Sequence, residues 1–128
     1  MLKQEYNKIL IVEDETALLY ALQAQLQVDG FQVEGVIDGE QALEKLKHFK
    51  PDLIVLDIML PKVDGWGILN RVRTDVRLVN IPVIIITNLT DGDAKKKGLE
   101  LGVVDYIIKA DHSLGELAEK IKSALKSH

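Results

Sequence analysis

Five short runs of branched aliphatic residues constrain this chain more than any other feature: "KILIV" (8–12), "FQVEG" (31–35), "DLIVL" (52–56), "PVIII" (82–86) and "VDYII" (104–108). Each is too short for an ordinary helix and is bounded by polar or turn residues, which is how a strand reads. Their starts are spaced by about 22 residues, with one longer interval. Connections of that length suit crossovers between parallel strands, where a hairpin would need only a few residues. The intervening segments carry a helical period. Leu18, Leu22 and Leu26 share a face of 15–28; Ala42, Leu46 and Phe49 share one in 39–49; Leu114, Leu117, Ala118, Ile121 and Leu125 line 113–126.

Local signals agree with this division. Asp38 with Gln41, and Ser113 with Glu116, have capping-box spacing. Lys120, Lys122 and Lys126 fall toward the end of the last helix, where cations complement its dipole. The stretch "TDGDAKKKGLELG" is the weakest helix former, because Gly98 inside it costs about 1 kcal/mol relative to Ala. It predicts a short or mobile helix.

The pattern predicts an α/β fold: a doubly wound five-stranded parallel sheet in the order 2-1-3-4-5, with five helices covering both faces. Strands one, three and four are nearly all aliphatic, as strands covered on both sides must be. "FQVEG" alternates and "VDYII" carries Asp105 and Tyr106, which assigns strands two and five to the edges. With 128 residues the expectation is one domain over 1–128, with no effector domain visible. The absence of cysteine removes thiolate metal sites. A net charge of −4 argues against nonspecific binding to nucleic acid or anionic membranes. No aliphatic run approaches the roughly 18 residues of a membrane span, and "MLKQEYNK" lacks a signal-peptide core, so a cytoplasmic location is expected.

In such a sheet, ligands bind beyond the carboxyl ends of the strands, where the winding reverses. Glu13 and Asp14 follow strand one, Asp57 follows strand three, Thr87 follows strand four and Lys109 follows strand five. One rim thereby receives three carboxylates, a hydroxyl and an ammonium. Each residue alone has an ordinary explanation: Asp14 or Thr87 as a cap, Lys109 as a solvated charge. Their common address is what outweighs it. Crowded carboxylates repel unless a cation joins them, and hard oxygen donors without Cys or His favour Mg²⁺, with Mn²⁺ also suited. With Lys109 as a mobile positive charge and Thr87 as a donor, this is equipment for stabilising a phosphoryl group, with Asp57 as candidate nucleophile.

The motifs "ILIVEDE" (9–15), "DLIVLDIMLPKVDGW" (52–66), "IPVIIIT" (81–87) and "GVVDYIIKA" (102–110) strongly resemble the receiver domain of bacterial two-component response regulators, over essentially the whole chain. The resemblance implies a flavodoxin-like receiver fold and a signalling phosphoacceptor, not an enzyme with an external substrate. It implies that Asp57 accepts a phosphoryl group from a histidine kinase or phosphotransfer partner. Asp14, Asp57 and the Met59 backbone carbonyl would hold Mg²⁺, with Glu13 acting through water; Thr87 and Lys109 would contact phosphoryl oxygens. Thr87 and Tyr106 would form the switch, Tyr106 turning inward as Thr87 moves, and the face of helix four, strand five and helix five would change its preference for a downstream protein. A stand-alone regulator, a monomer or weak dimer without direct contact to nucleic acid or membrane, is the expected form. Pro61 and Gly65 fit the pocket-shaping loop, with Gly65 expected at positive φ.

Two positions depart from the family pattern. Ala110 stands where Pro usually follows the lysine, which predicts a trans Lys109–Ala110 bond. Asn88 replaces a residue that is commonly small and is expected to narrow access to the phosphoryl group or bind it. Met59 and Leu89 occupy positions that tune acyl-phosphate lifetime in relatives. Lys95 to Lys97 read as a solvated helical face, Trp66 as a packing residue at the start of helix three, and His48, His112 and His128 as scattered residues without a joint role. Other functions fit less well. A receiver-like module that dispenses with phosphate should have lost some of these residues. An FMN carrier needs a small-residue phosphate loop where "EDETALL" stands, and a haloacid-type phosphohydrolase needs an Asp where Met59 stands.

Overall fold

The computed structural model describes residues 7–126; His128 lies outside them. The elements are β1 (Lys8–Val12), α1 (Thr16–Val28), β2 (Gln32–Val36), α2 (Gly39–Leu46), β3 (Leu53–Leu56), α3 (Gly65–Thr74), β4 (Val83–Thr87), α4 (Gly92–Glu100), β5 (Asp105–Ile108), a one-turn 3₁₀ segment (Lys109–Asp111) and α5 (Leu114–Lys126). All strand pairs are parallel and the order is β2-β1-β3-β4-β5. The expected winding and both edge strands are therefore as the sequence reading has them.

The aliphatic runs work as two-sided strands because alternate residues feed separate cores. From β1, Leu10 and Val12 join Ile54, Leu56, Ile68, Leu69, Val72, Val83 and Ile85 on the face carrying α2, α3 and α4. Ile9 and Ile11 join Leu19, Leu22, Leu26, Leu117 and Ile121 on the face carrying α1 and α5. Each fully buried Leu or Ile contributes roughly 1.5–3 kcal/mol by leaving water. With both faces covered, the polar ends of the strands are where unlike chemistry can gather.

Several local expectations need revision. Thr87 is the last residue of β4, one place earlier than a position beyond the strand. Gly65 does not have positive φ; the left-handed residue of this loop is Lys62, at φ 70°. Gly65 is required by proximity instead. A Cβ there would collide with the Asp57 carbonyl oxygen and lie 2.5 Å from Ile58 Cα. Asp64 is the N-cap of α3, accepting from Gly67 N–H at 3.0 Å. The lysines of α5 do lie in its last two turns, Lys126 in the final one, and Lys122 pairs with Asp29, the C-cap of α1, at 3.0 Å. The capping box at its start does form: Glu116 N–H donates to Ser113 Oγ at 3.1 Å and Ser113 N–H to Glu116 Oε1 at 2.8 Å.

The nine-residue α4 is short, as Gly98 suggested, but that glycine has a packing reason. A Cβ on it would meet Ile85 Cδ1 at 3.1 Å and Tyr106 Cδ2 at 3.3 Å, so Gly98 lets α4 lie close on β4 and β5. Arg73 of α3 ties down the chain after α4, donating from Nε to Leu101 O at 2.8 Å and from Nη2 to Gly102 O at 3.2 Å.

Two glycines should respond oppositely to alanine. Gly65→Ala forces the Asp57–Ile58 backbone aside and should cost about 1–3 kcal/mol or more. Gly92, with nothing within 4 Å of its would-be Cβ, should gain about 0.4–1 kcal/mol through a less flexible unfolded chain. Urea denaturation of both variants checks the pair, and equal shifts would contradict the backbone contact at Gly65.

Candidate functional site

The site is built from strand ends. β1 delivers Glu13 and Asp14, with Glu13 N–H donating to Val36 O of β2 at 3.0 Å. β3 delivers Asp57, whose N–H donates to Val12 O at 3.0 Å, so both acids are held by extensions of the sheet ladder. Carboxylate oxygens of Glu13, Asp14 and Asp57 all lie within 4.8 Å of one another, the Asp14 residue being exposed and the other two buried. β4 delivers Thr87, fully buried, with Leu89 N–H donating to its Oγ1 at 3.3 Å.

Lys109 comes from the far side of the rim and crosses it. Its Nζ lies 2.7 Å from Asp57 Oδ2, 2.9 Å from Glu13 Oε1 and 3.5 Å from Glu15 Oε1. The side chain is only 10% exposed, so Lys109 is a pinned charge, not the mobile one expected. Asp57 completes its bonding with Met59 N–H, which donates to Oδ1 at 3.0 Å. That bond brings the Met59 backbone beside the acids while its side chain remains exposed.

One ammonium faces more than one acid. Burial, aided by the negative charge of Asp57, outweighs the bonds from Lys109 and Glu15 N–H and pushes Glu13 up to about 7. For Lys109 burial acts against the charge, but hydrogen bonds to Asp57 and Glu13 outweigh it and hold the ammonium above its ordinary range. The group is short of positive charge, and its donors are all hard oxygens. That combination fits a divalent ion such as Mg²⁺ or Mn²⁺, and Glu13, Asp14 and Asp57 are the carboxylates beside which it would bind.

Tyr106 already lies inward. It is 6% exposed, and its hydroxyl donates to Leu89 O at 2.7 Å. Burial and the charges of Asp57 and Asp91 push this phenol up, keeping the proton that the bond uses.

Residues 9–122 match the response regulator receiver domain family. The chain belongs to that family. Among curated relatives, the probable transcriptional regulator ycf27 of Porphyridium aerugineum is 40% identical over 120 residues, which is 94% of this chain and 48% of that protein. This receiver domain thus spans about half the length of that relative. Two solved structures share the fold: the phosphorylated cyanobacterial phytochrome response regulator RcpA, with 31% identity, a TM-score of 0.82 and coverage of 93% of this chain and 91% of that one, and the Mn²⁺-bound form of response regulator Rcp1, with 28% identity, a TM-score of 0.80 and coverage of 91% and 90%.

The receiver also contains contacts that sequence reasoning missed. Glu15, third acid of the "EDE" run, reaches Lys109, and its place in that run was the available signal. Asn88 engages the neighbouring backbone: its Oδ1 accepts from Ala110 N–H at 2.9 Å. The Lys109–Ala110 bond is trans, as expected; no cis peptide occurs among the described residues. The three lysines read as a solvated face are exposed, and Lys97 in addition places its ammonium 4.4 Å from the centre of the Trp66 ring, joining α4 to α3. His48 is exposed and far along the chain from His112, which lies 3.8 Å from Glu116.

Lys109→Ala should cost about 3–5 kcal/mol at pH 8 without divalent metal, because it leaves buried carboxylates uncompensated. Added Mg²⁺ should recover much of that loss, and a metal-independent loss in urea titrations would contradict the charge-balance reading. The raised Glu13 carboxyl gives a second outcome. The folded state holds a proton that the unfolded state releases at about 4.5, so this group lowers stability as pH rises from 4.5 to about 7 and no further. Lys109 stays charged throughout that window. Glu13→Gln should therefore flatten the metal-free stability profile between these pH values, and an unchanged slope would contradict the assignment.

Proposed function

We propose that Asp57 is the phosphoacceptor of this receiver domain, supplied by the phosphohistidine of a kinase or phosphotransfer partner in the cytoplasm. The observation that carries the proposal is the placement of a buried carboxylate, 2.7 Å from Lys109 Nζ, inside a group of acids short of positive charge. A carboxylate oxygen of Asp57 attacks phosphorus, the bond from phosphorus to the donor atom breaks, and the donor leaves with the electron pair. Bound Mg²⁺ or Mn²⁺ would neutralise charge on the transferring group, held by Asp14, Asp57 and the Met59 carbonyl with Glu13 beside it. Lys109 then exchanges its carboxylate partner for a phosphoryl oxygen, and Thr87 turns its hydroxyl from Leu89 N–H toward another. Attack of water on the same phosphorus breaks its bond to the Asp57 oxygen, releases inorganic phosphate and restores the carboxylate, so the protein catalyses only its own modification.

Phosphorylation adds charge and acceptor oxygens at a fixed point. Thr87 ends β4 and Lys109 follows β5, so the attraction acts on the two strands over which α4 lies. Tyr106, bonded to Leu89 in the loop that follows Thr87, and the closely seated α4 form the element being biased. Moving it from 1:99 to 99:1 requires about 5.5 kcal/mol of preference, within reach of several charge-assisted bonds. The face of α4, β5 and α5 would carry the change to a downstream protein. The ycf27 relative, about twice as long as this chain, is named a probable transcriptional regulator, which supports a transcriptional output as one form for this signal.

Acetyl phosphate with Mg²⁺ is the direct test. The intact mass should rise by one phosphoryl group, Asp57→Asn should abolish the gain, and chelation should prevent it. A gain that survives Asp57→Asn would place the acceptor elsewhere, and no gain in the parent chain would favour a receiver that works without phosphate.

A further inference from the structure

We propose that Asn88 is a positioning residue for Lys109, acting through the backbone amide of Ala110; the functional half of this inference rests on the phosphoacceptor reading above. The β4–β5 ladder ends where Thr87 pairs with Ile108. Beyond that pair the chains part, β4 toward the loop before α4 and β5 into the 3₁₀ turn at Lys109–Asp111. The two residues that would contact a phosphoryl group, Thr87 and Lys109, sit at this parting.

A side-chain bond joins the two residues directly beyond it. Ala110 N–H donates to Asn88 Oδ1 at 2.9 Å. Asn88 is the residue directly after Thr87, and Ala110 the residue directly after Lys109, so the bond extends the cross-strand connection one step by means of a side chain. The turn's own bond, from His112 N–H to Lys109 O at 3.2 Å, is local and does not register the turn against β4. Lys109 spans the rim to contacts of 2.7 and 2.9 Å on the Asp57 and Glu13 carboxylates. A shift of its backbone by about an ångström loosens both, and misplacement of that size is costly to catalysis.

The chemistry of the pair is specific. Ala110 supplies an N–H that an imino acid at this position would lack. Asn88 supplies a short neutral acceptor, adding no further negative charge to a rim that already has an excess. Asn88 is exposed, so burial does not account for its bond. The geometry points to a tie that holds hydroxyl and ammonium on one frame, independent of the acids that would hold the metal.

The experiment measures acetyl phosphate-dependent phosphorylation by intact mass, Mg²⁺ affinity by Trp66 fluorescence, and hydrogen exchange of the Ala110 amide. Asn88→Ala should slow phosphoryl uptake by about 3- to 10-fold, the worth of one hydrogen bond, leave Mg²⁺ affinity unchanged and speed exchange at Ala110. In an Ala110→Pro background, where the donor is gone, the same substitution should be silent, and the cycle cancels other effects of proline. An unchanged rate for Asn88→Ala in a chain that is phosphorylated overturns the inference alone. So do equal losses in both backgrounds. A parent chain that takes no phosphoryl group defeats the phosphoacceptor reading, and this inference falls with it.

Discussion

The bridge made by Lys109 between Glu13 and Asp57 is the interaction on which the polar end of this molecule depends. Two carboxylates and an ammonium are taken out of water there, an arrangement whose desolvation cost is met only by close pairing. Pairing is close, at 2.7 and 2.9 Å, yet charge remains unbalanced because Asp14 and Glu15 stand beside the pair. A site balanced by its own residues would have little reason to admit a cation. This one holds an acid, Glu13, that burial raises toward neutrality.

The rest of the fold serves to bring these groups together and keep them there. Parallel β1 and β3 lie side by side, so the residues after Val12 and Leu56 emerge at one level. Two-sided burial of the strands fixes that level, since a slip by one residue would send every side chain to the wrong core. Gly65 lets the loop after β3 fold back against the Asp57 backbone, and Asp64 begins α3 immediately beside it. On the other side, α4 rests on β4 and β5 through Gly98 and is joined to α3 by Lys97 over Trp66. The element best placed to respond to the site is thus held by a few identifiable contacts rather than by a large core of its own.

Much of this was legible in the sequence, and the reason is periodicity. Aliphatic runs at a regular interval determine a parallel sheet, the winding rule determines its order, and the order determines which residues meet at the rim. What escaped was every feature that depends on how far one backbone approaches another. Gly65 looked like a turn glycine and is a contact glycine, while the left-handed position fell to Lys62. Lys109 looked like a free charge because its partners follow other strands, so their distance cannot be read along the chain. Asn88 and Ala110 looked like two separate departures from the family and are bonded to each other. Neither could be explained alone, because each supplies what the other requires.

Fluorine NMR of the protein with beryllofluoride, a stand-in for the phosphoryl group, tests the central claim most directly. A bound fluoride resonance that needs Mg²⁺, disappears in Asp57→Asn and shifts in Lys109→Arg is the predicted result. A bound signal that persists without Mg²⁺ or without the Asp57 carboxylate would contradict an acid cluster that works by sharing a metal with an incoming phosphoryl group.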